Sequence, residues 1–341
     1  MKTPFRKQPN SSIYNFLSDY IFYSQKELEK ILAEDSNSQL AKICEYIIKA
    51  GGKRLRPLLT LLACEAVGGH YKRALPVSVA IELAHTLGII QDDIFDQATM
   101  RRGVKAVHVA WGMPKAILAS DYLFLKMVES IMKISKYSEN STELILKILE
   151  IVVKAGLEAI EGEYLDLQLS KKNEVTIEEC ILVAEKKTGA FIKAALEAGA
   201  LIGGATEKEV QVFREYGKNV GIAYQITDDL LGLTGNLSLV GKDIGADLTT
   251  KRITVVMAHA LQNSTLQDKK EIMEIMELNQ QKGKLVKNMV EIFEKTGSIN
   301  FARKLAFEYA EKAVKYVEVL KPTQAREVLK AIPIIVVKRK W

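Results

Sequence analysis

Long stretches of this chain run with helical periodicity and almost no interruption by proline. Only 7 of the 341 residues are Pro and 21 are Gly, and most of these lie between the periodic segments. Leu, Ile, Ala, Glu and Lys dominate the segments themselves, which is the composition of long helices. Strand signals are nearly absent, because no Asn-Gly or Asp-Gly turn separates two alternating runs. The sequence therefore predicts an all-α protein.

Two helix starts carry a clear capping signal. Thr176 with Glu179, and Thr206 with Glu209, match the capping box, in which a hydroxyl and a carboxylate satisfy two amides that have no partner inside the helix. Apolar residues after Thr206 recur at helical spacing. This second helix is therefore expected to run unbroken to Gly232.

One domain over residues 1–341 is expected, because no Ser/Gly/Pro-rich linker, low-complexity run or fixed-period repeat divides the chain. Residues 1–12 and the chain around Arg339 are the expected frayed ends. Pro76 and Pro114 should open helices, since proline fits a first turn but not a helix interior.

Charge and cysteine content exclude several classes of protein. The 48 Lys and Arg against 42 Asp and Glu leave a net charge of +6, without the basic stripes and interleaved aromatics of nucleic-acid binders. Cys44, Cys64 and Cys180 include no C-x-x-C pair, so neither a zinc site nor a disulfide framework is predicted, and a reducing, cytoplasmic compartment is expected. No signal peptide is predicted, and no uninterrupted apolar run approaches the roughly 18 residues of a membrane span.

Two acidic clusters follow long apolar segments. Asp92, Asp93 and Asp96 lie within about one helical turn, at the negative end of the helix dipole, where carboxylates are unfavourable unless a cation binds them. Asp228 and Asp229 form the second cluster. Hard oxygen ligands of this kind suit Mg²⁺ together with substrate phosphates. Either cluster alone is typical of a solvated surface, but their position after apolar helices favours a pocket.

Cations accompany the first cluster. Gly51-Gly-Lys-Arg-Leu-Arg-Pro57 places Lys53, Arg54 and Arg56 where a loop meets a helix, a position that attracts phosphate, although a basic loop is equally typical of solvated surface. Arg101 and Arg102 follow Asp96 and could clamp a metal-bridged diphosphate. His85 lies three residues after a glutamate, but the second Glu-x-x-His of a di-iron site is missing, so by itself it reads as a structural histidine.

A series of motifs occurs in order between Gly51 and Thr254: Gly52-Lys-Arg-Leu-Arg-Pro57, Asp92-Asp-Ile-Phe-Asp96, Arg101-Arg-Gly103, Gly162-Glu-Tyr-Leu-Asp166, Lys187-Thr188, Tyr224-Gln-Ile-Thr-Asp-Asp229, and Gly241-Lys242 leading to Asp247-Leu248. Together they resemble the trans-type polyprenyl diphosphate synthases, the head-to-tail prenyltransferases that include farnesyl and geranylgeranyl diphosphate synthases. The resemblance implies an isoprenoid synthase-type helical bundle around a deep central cavity, as a homodimer. It also implies Mg²⁺-dependent condensation of isopentenyl diphosphate with dimethylallyl, geranyl or farnesyl diphosphate.

The resemblance also assigns roles to individual residues. Those implied to bind Mg²⁺, with three ions in each active site, are Asp92, Asp96 and Asp228, supported by Asp93 and Asp229. Those implied to contact the allylic diphosphate are Arg101, Lys187 and Lys242, and Arg252 is implied to contact a substrate phosphate. Those implied to bind isopentenyl diphosphate are Lys53, Arg56, Arg102 and His85, which changes the reading of the histidine. Thr188 and Gln225 would lie beside the reacting carbon.

The sequence departs from the family pattern at several positions. Gly232 stands where the second acidic motif usually has a third Asp, and Gln91 replaces a frequent His. Glu163 replaces a frequent Gln. Arg252 replaces a usual Lys, keeping the charge but not the geometry of its phosphate contact.

Product length is implied by residues that precede Asp92 on its helix. Aromatic side chains four or five residues earlier close the tunnel of short-chain family members, and here these positions are Gly88 and Leu87, with Ala84 eight residues earlier. A geranylgeranyl (C20) or somewhat longer product is therefore expected. The alternative is that another helix, near Ile117 and Tyr122, forms the tunnel floor.

Three other functions are considered. A non-catalytic partner subunit is supported only by the thinned second motif at Gly232. A terpene cyclase is not expected to keep Lys53, Arg56 and Arg102. A helical scaffold protein leaves both acidic clusters unexplained.

Overall fold

The computed structural model describes residues 12–137, 141–172, 174–234, 252–277 and 283–339, and these are almost entirely helical. Fifteen α-helices are described: α1 Ser12–Ala33, α2 Gln39–Lys49, α3 Leu55–Ala66, α4 Tyr71–Phe95, α5 Val107–Trp111, α6 Met113–Met132, α7 Ser141–Leu169, α8 Ile177–Val183, α9 Ala190–Gly203, α10 Glu207–Thr234, α11 Val255–Asn263, α12 Leu266–Glu277, α13 Gly283–Lys295, α14 Ser298–Val317 and α15 Gln324–Val337. A 3₁₀-helix, Lys133–Tyr137, follows α6, and a π-helical turn, Ala184–Gly189, joins α8 to α9. The all-α prediction is confirmed.

The chain packs into two compact units. The first contains the chain up to Ala155, Phe191–Glu215 and Tyr316–Lys330, and the second contains Gly156–Ala190, Tyr216–Lys315 and Ala331–Trp341. Helices α7 and α10 each contribute residues to both units. A single domain over residues 1–341 stays a prediction.

Helix α4 forms the centre of the first unit, where it packs against α3 and α6. Every residue from Pro76 to Ala84 is buried, so this part of the helix has no face in contact with water. The helix is long and apolar enough to cross a membrane, but 72% of its most apolar window is buried inside the fold. A core helix passes the same test of length and composition.

Pro76 does not open α4, as the sequence predicted, but lies inside it. The helix begins at Tyr71, because the ring nitrogen Nδ1 of His70 accepts a hydrogen bond from the Lys72 amide at 3.2 Å and caps it. The prolyl carbonyl accepts a hydrogen bond from Ser130 at 2.8 Å. Pro114, by contrast, lies in the first turn of α6, as predicted.

Both predicted capping boxes are confirmed. The Thr176 hydroxyl accepts from the Glu179 amide while the Glu179 carboxylate accepts from the Thr176 amide. Thr206 and Glu209 make the same reciprocal contacts, and α10 runs from there past Gly232, as expected.

The second unit has its own apolar core. The carboxyl-terminal part of α10 packs there with α11 to α14, around the buried side chains of Val256, Met289 and Phe293. Two glycines bring helices against the π-helical turn. A Cβ at Gly162 would lie 2.5 Å from the Lys187 amide nitrogen, and one at Gly221 would lie 2.4 Å from the Gly189 Cα. Only glycine allows this approach of α7 and α10 to the turn.

A short hairpin after α4 was not predicted. Its strands, β1 Met100–Arg101 and β2 Val104–Lys105, pair antiparallel. Arg102 and Gly103 form the turn with φ values of 53° and 80°, as a type I′ turn requires. An arginine in this position gives no recognisable turn signal, and strands of two residues show no alternation.

Candidate active site

The predicted site residues fall into two groups, one in each compact unit. The first group surrounds the end of α4 and contains Lys53, Arg56, His85, Asp92, Asp93, Asp96, Arg101 and Arg102. The second group surrounds the π-helical turn and α10 and contains Lys187, Thr188, Gln225, Asp228, Asp229 and Arg252. Lys242 lies outside the described residues, as do Gly241, Asp247 and Leu248.

The first acidic cluster lies at the carboxyl end of α4, as predicted. Asp96 caps the helix, and its amide donates to the Asp92 carbonyl at 2.8 Å. Asp92 and Asp96 are half-buried and share a face, since they are four residues apart. Asp93 is fully buried and accepts hydrogen bonds from Nε, at 2.7 Å, and Nη2 of Arg101. The hairpin arginine therefore binds the buried carboxylate of the cluster, and the other two carboxylates are half-buried on the same helix.

Arg54 is the buried member of the basic loop. It takes a left-handed conformation (φ 51°) before α3, and its side chain donates to Gln25 Oε1 at 3.0 Å and to the Ile48 carbonyl at 2.8 Å. A third bond, of 2.5 Å, joins it to Glu82 on α4. Both partners of this ion pair are at most 3% exposed. Arg54 therefore joins the loop to α4 and is not available to a ligand, whereas Lys53 and Arg56 on either side are half-buried.

Arg102 contacts the other side of the same loop. Its Nη1 donates to the Gly51 carbonyl, and its guanidinium would lie 2.8 to 3.0 Å from a Cβ at Gly52. Gly52 also has a φ of 151°, at the edge of the region that favours glycine. The hairpin and the basic loop are therefore in direct contact, and Arg102 lies against the two glycines that precede Lys53.

His85 lies on α4 three residues after Glu82. Burial lowers the pKa of its imidazole well below the usual value, and the positive charges of Arg56, Arg102, Arg54 and Arg101 lower it further. The imidazole is therefore neutral at pH 7 and can donate one hydrogen bond to an anion without adding a charge.

Lys187 and Thr188 lie in the π-helical turn, and π-turns of this kind occur frequently at functional sites. The Thr188 hydroxyl donates to Gln225 Oε1. The amide of Gln225 donates in turn to Asp229 Oδ1 at 2.8 Å. This chain of hydrogen bonds sets the rotamers of three predicted site residues.

Four charged side chains form a ring beside Thr188, which we call the charge ring: Lys187, Arg252, Glu163 and Asp166. The ammonium of Lys187 contacts Glu163, and also Asp166 at 3.1 Å. The guanidinium of Arg252 lies 3.8 Å from Glu163 and 3.5 Å from Asp166. The four side chains are between 10% and 19% exposed. The two carboxylates belong to a motif recognised in the sequence, but their contact with Lys187 and Arg252 was not predicted, because no local pattern links positions so far apart.

A small cavity of about 40 Å³ opens on the charge ring. Lys187, Arg252 and Asp166 line it, together with Gln225 and Asp229. The cavity is therefore lined by two cations and by the side-chain amide of Gln225. It lies in the compact unit that also contains the second acidic cluster.

Arg339 is not part of a frayed end, as the sequence predicted. Its side chain is 5% exposed and lies 3.0 Å from Asp228 Oδ1, with its guanidinium 4.4 Å from the centre of the Tyr224 ring. Its Nε donates to the Val336 carbonyl at 2.8 Å. The contacts of Arg339 with Asp228 and Tyr224 could not be predicted from the local sequence. An ion pair and a cation–π contact with a distant helix depend on tertiary packing.

The residues predicted to set product length lie on α4. Ala84 is buried, and Leu87 and Gly88 are half-buried. A Cβ at Gly88 would meet nothing within 4 Å, so open space adjoins this position. Of the alternative floor residues, Ile117 is 51% exposed, and the Tyr122 hydroxyl donates to Asp35 at 2.6 Å. The Tyr122 hydroxyl is therefore bound to the turn that follows α1.

Within the ranges the structure describes, no three carboxylate, imidazole or thiol groups converge as a complete metal site. Asp92 and Asp96, however, offer two half-buried carboxylates on one helix face. Mg²⁺ is commonly bound through one or two carboxylates, with water and substrate phosphates completing the shell. The donor set therefore fits Mg²⁺ bound together with a phosphate ligand, with Asp93 engaged by Arg101.

The sequence and the structure were each compared with known proteins, and the two comparisons agree. Residues 37–293 match the family described as polyprenyl synthetase. The chain is 35% identical to the short chain isoprenyl diphosphate synthase of Methanothermobacter thermautotrophicus, covering 96% of this chain and 98% of the relative. It is 33% identical to the geranylgeranyl diphosphate synthase of Methanosarcina mazei, covering 92% and 94%. The crystal structure of geranylgeranyl pyrophosphate synthetase from Pyrococcus horikoshii superposes with a TM-score of 0.88 at 33% identity, covering 96% and 98%.

Replacement of Arg54 by Met should lower the free energy of unfolding by about 3–5 kcal/mol, because Glu82 would stay buried without its partner. Replacing Glu82 by Leu as well should recover most of this loss, since an apolar pair of similar volume can substitute for a buried ion pair. Urea unfolding followed by circular dichroism measures both. As a control, Lys49→Met removes an exposed pair with Glu45 and should leave the free energy of unfolding almost unchanged, because water screens exposed ion pairs. Equal losses from Arg54→Met and Lys49→Met would contradict this role.

Proposed function

Because the chain belongs to the polyprenyl synthetase family, we propose that it is a trans-prenyltransferase that condenses isopentenyl diphosphate with an allylic diphosphate. The observation that carries the proposal is the end of α4, where Asp92 and Asp96 share a face and the hairpin and basic loop bring Arg102 and Lys53 to the same unit. Carboxylates next to cations suit a diphosphate bridged by metal ions.

Mg²⁺ is the proposed cofactor, with three ions in each active site. When bound, Mg²⁺ would neutralise charge on the leaving diphosphate, so that the allylic carbon–oxygen bond can break at neutral pH. Asp92, Asp96 and Asp228 are the proposed ligands, with Asp93 and Asp229 supporting. Asp228 contacts Arg339 through Oδ1, so a metal ion bound there would share this carboxylate with the guanidinium.

Two different sets of cationic side chains are proposed to bind the two diphosphates. Lys187, Arg101 and Lys242 would stabilise the negative charge that develops on the diphosphate leaving the allylic carbon. Lys53, Arg56, Arg102 and the neutral imidazole of His85 would hold isopentenyl diphosphate with its double bond towards that carbon.

The hydrogen-bonded residues around Thr188 and the apolar residues of α4 have the remaining roles in the proposed mechanism. Thr188 and Gln225 are fixed by hydrogen bonds to each other and to Asp229, and would border the reacting carbon. The double bond attacks the allylic cation, and loss of a proton to the departing diphosphate gives a product five carbons longer. Apolar residues of α4 would exclude water that could quench the cation.

The proposed product is geranylgeranyl diphosphate (C20) or a somewhat longer chain. Two observations support it. Relatives at 33% identity are geranylgeranyl diphosphate synthases. Open space adjoins Gly88 on α4, and Leu87 beside it is not aromatic, so neither side chain would block a growing chain there.

A homodimer is the proposed assembly. Between its middle and its end, α7 exposes Leu157, Ile160, Tyr164 and Leu167, which are 44% to 67% exposed and spaced three and four residues apart. This spacing places them on one helix face, and an exposed apolar stripe of this kind is typical of a helix that packs against a partner. A second copy of the chain is the partner we propose.

The reducing cytoplasm is the proposed location. The three cysteines are buried and unpaired with one another, and burial raises the pKa of each thiol to about 12. Thiols of this kind suit a compartment where disulfides do not form.

Replacement of Asp92 by Asn should lower kcat/KM by about 100-fold or more, because a charged contact to the metal-bound diphosphate is lost at the transition state. The assay uses labelled isopentenyl diphosphate, Mg²⁺ and each of dimethylallyl, geranyl and farnesyl diphosphate. Asp19→Asn, an exposed change on α1, is the matched control. A folded wild-type protein that elongates none of these primers would overturn the proposed enzyme and favour the non-catalytic partner subunit.

Replacement of Leu87 by Phe should shorten the main product by about one five-carbon unit, because the aromatic ring would occupy the space beside Gly88. Chromatography of the dephosphorylated products measures the shift. Gly88→Ala adds one methyl group where nothing lies within 4 Å and should leave the distribution unchanged. An unaltered distribution in the Leu87→Phe variant would show that the tunnel floor lies elsewhere.

Replacement of Leu157 by Lys should dissociate the homodimer, because a charge in the apolar stripe would have to be desolvated in the interface. Sedimentation velocity should find twice the 38.1 kDa of one chain for the wild type and the single mass for the variant. Lys147→Gln, an exposed change on another face of α7, should stay dimeric. A monomeric wild type would refute the assembly.

A further inference from the structure

Arg54 lies between two residues that are proposed to bind isopentenyl diphosphate, but its own side chain is turned into the protein. That side chain is 2% exposed, whereas Lys53 and Arg56 are half-buried. A charge buried this deeply is unfavourable unless it is paired and hydrogen-bonded. The partners of Arg54 therefore indicate what it does for the residues beside it.

Each nitrogen of the Arg54 guanidinium donates to a different helix. Nε donates to Gln25 Oε1 on α1 at 3.0 Å, and Nη2 donates to the Ile48 carbonyl in the last turn of α2 at 2.8 Å. Nη1 donates to Glu82 Oε1 on α4 at 2.5 Å. The Gln25 side chain is itself held, because its amide donates to Glu29 Oε1 at 2.7 Å. One planar guanidinium therefore joins the basic loop to three helices.

The backbone of Arg54 is left-handed, with φ 51° and ψ 32°. This conformation is unfavourable for a residue that has a Cβ. The Arg54 carbonyl accepts from the Leu58 amide at 3.1 Å, in the first turn of α3. The Ile48 carbonyl to which the side chain donates also accepts from the Gly51 amide at 3.1 Å. Arg54 therefore contacts both ends of the loop, and its side-chain bonds favour the left-handed turn.

The turn at Arg54 sets where the two neighbouring cations lie. Lys53 comes directly before the left-handed residue, and Arg56 lies in the first turn of α3. If Arg54 took a right-handed or extended conformation, the direction of the chain at Lys53 would change relative to α3. The two cations would then lose the relative placement that the structure shows.

Glu82 connects this turn to another residue proposed to bind isopentenyl diphosphate. His85 lies three residues after Glu82 on α4, so the two side chains share a helix face. Burial lowers the pKa of the His85 imidazole, and the positive charge of Arg56 lowers it further. Arg54 therefore joins the loop to the part of α4 that carries His85.

We propose that Arg54 is a positioning residue for isopentenyl diphosphate: its three hydrogen bonds hold the turn that places Lys53 and Arg56 at the diphosphate. Because Arg54 is buried, it does not itself contact the substrate. This inference rests on the proposed function, in which Lys53, Arg56 and His85 bind isopentenyl diphosphate. The allylic diphosphate is assigned to other cations, so a change at Arg54 should affect one substrate and spare the other.

The test measures the KM of each substrate in a variant that keeps its stability. In Arg54→Met/Glu82→Leu an apolar pair replaces the buried ion pair, so the protein should stay folded, but the bonds to Gln25 and to the Ile48 carbonyl are lost. The KM for isopentenyl diphosphate should rise about tenfold, while kcat and the KM for the allylic primer stay within about twofold. Isothermal titration calorimetry with isopentenyl diphosphate alone should show affinity weakened by the same factor.

A second variant is needed because Glu82→Leu could disturb His85 directly. Arg54→Lys keeps the charge pair with Glu82, but one ammonium cannot make all three contacts of the guanidinium, so the KM for isopentenyl diphosphate should rise at least about threefold. The matched control changes another Arg–Glu pair of the same compact unit, in which Arg214 on α10 lies 2.9 Å from Glu197 on α9. Arg214→Met/Glu197→Leu should leave both KM values within about twofold.

The outcomes separate this inference from the proposed function. If the wild type elongates no allylic primer, the proposed function fails and this inference fails with it. If the wild type is active but either variant at Arg54 keeps the wild-type KM for isopentenyl diphosphate, only this inference is overturned. Equal rises in both KM values would also overturn it, because they would show a general loss of structure. A rise confined to isopentenyl diphosphate supports it, and Arg54→Lys decides alone if the double variant does not fold.

Discussion

Helix α4 is buried on all sides from Pro76 to Ala84, and its acidic cluster lies beyond this segment, at the carboxyl end of the helix. Its buried middle packs against α3 and α6, and each large apolar side chain removed from water there stabilises the fold by about 1.5–3 kcal/mol. This burial holds the carboxyl end of the helix in place. Asp92 and Asp96 lie there on one face, where the helix dipole disfavours carboxylates. The packing of α4 thus stabilises an acidic end that an isolated helix would not favour.

Charge pairing organises both groups of site residues. In the first unit, Arg101 pairs with Asp93 and Arg54 pairs with Glu82. In the second unit, Lys187 contacts the carboxylates of the charge ring. Cations that are partly buried need such partners, because an unpaired charge is costly to remove from water. Carboxylates that contact such a cation therefore influence its affinity for a bound anion.

Local chemistry explains which sequence predictions were right. The capping boxes at Thr176 and Thr206 depend on groups three residues apart, and the structure confirms both. Pro114 in a first turn follows from the ring geometry of proline. The prediction for Pro76 was wrong because a histidine, which is not a usual cap, starts the helix earlier. The hairpin at Arg102 was missed for a similar reason, since its turn lacks the residues that normally mark one.

The sequence by itself determined the all-α class, the family, and the placement of Asp92, Asp96 and Asp228 near helix ends, because these depend on periodicity and on motifs within a few residues. Only the tertiary structure decided what the individual charges do. Arg54 looks like Lys53 and Arg56 in the sequence, yet it is buried against Glu82 on another helix. Arg339 contacts Asp228 across more than a hundred residues. Such pairings depend on which helices pack together and on how much water their contact excludes, and no local pattern of residues specifies either.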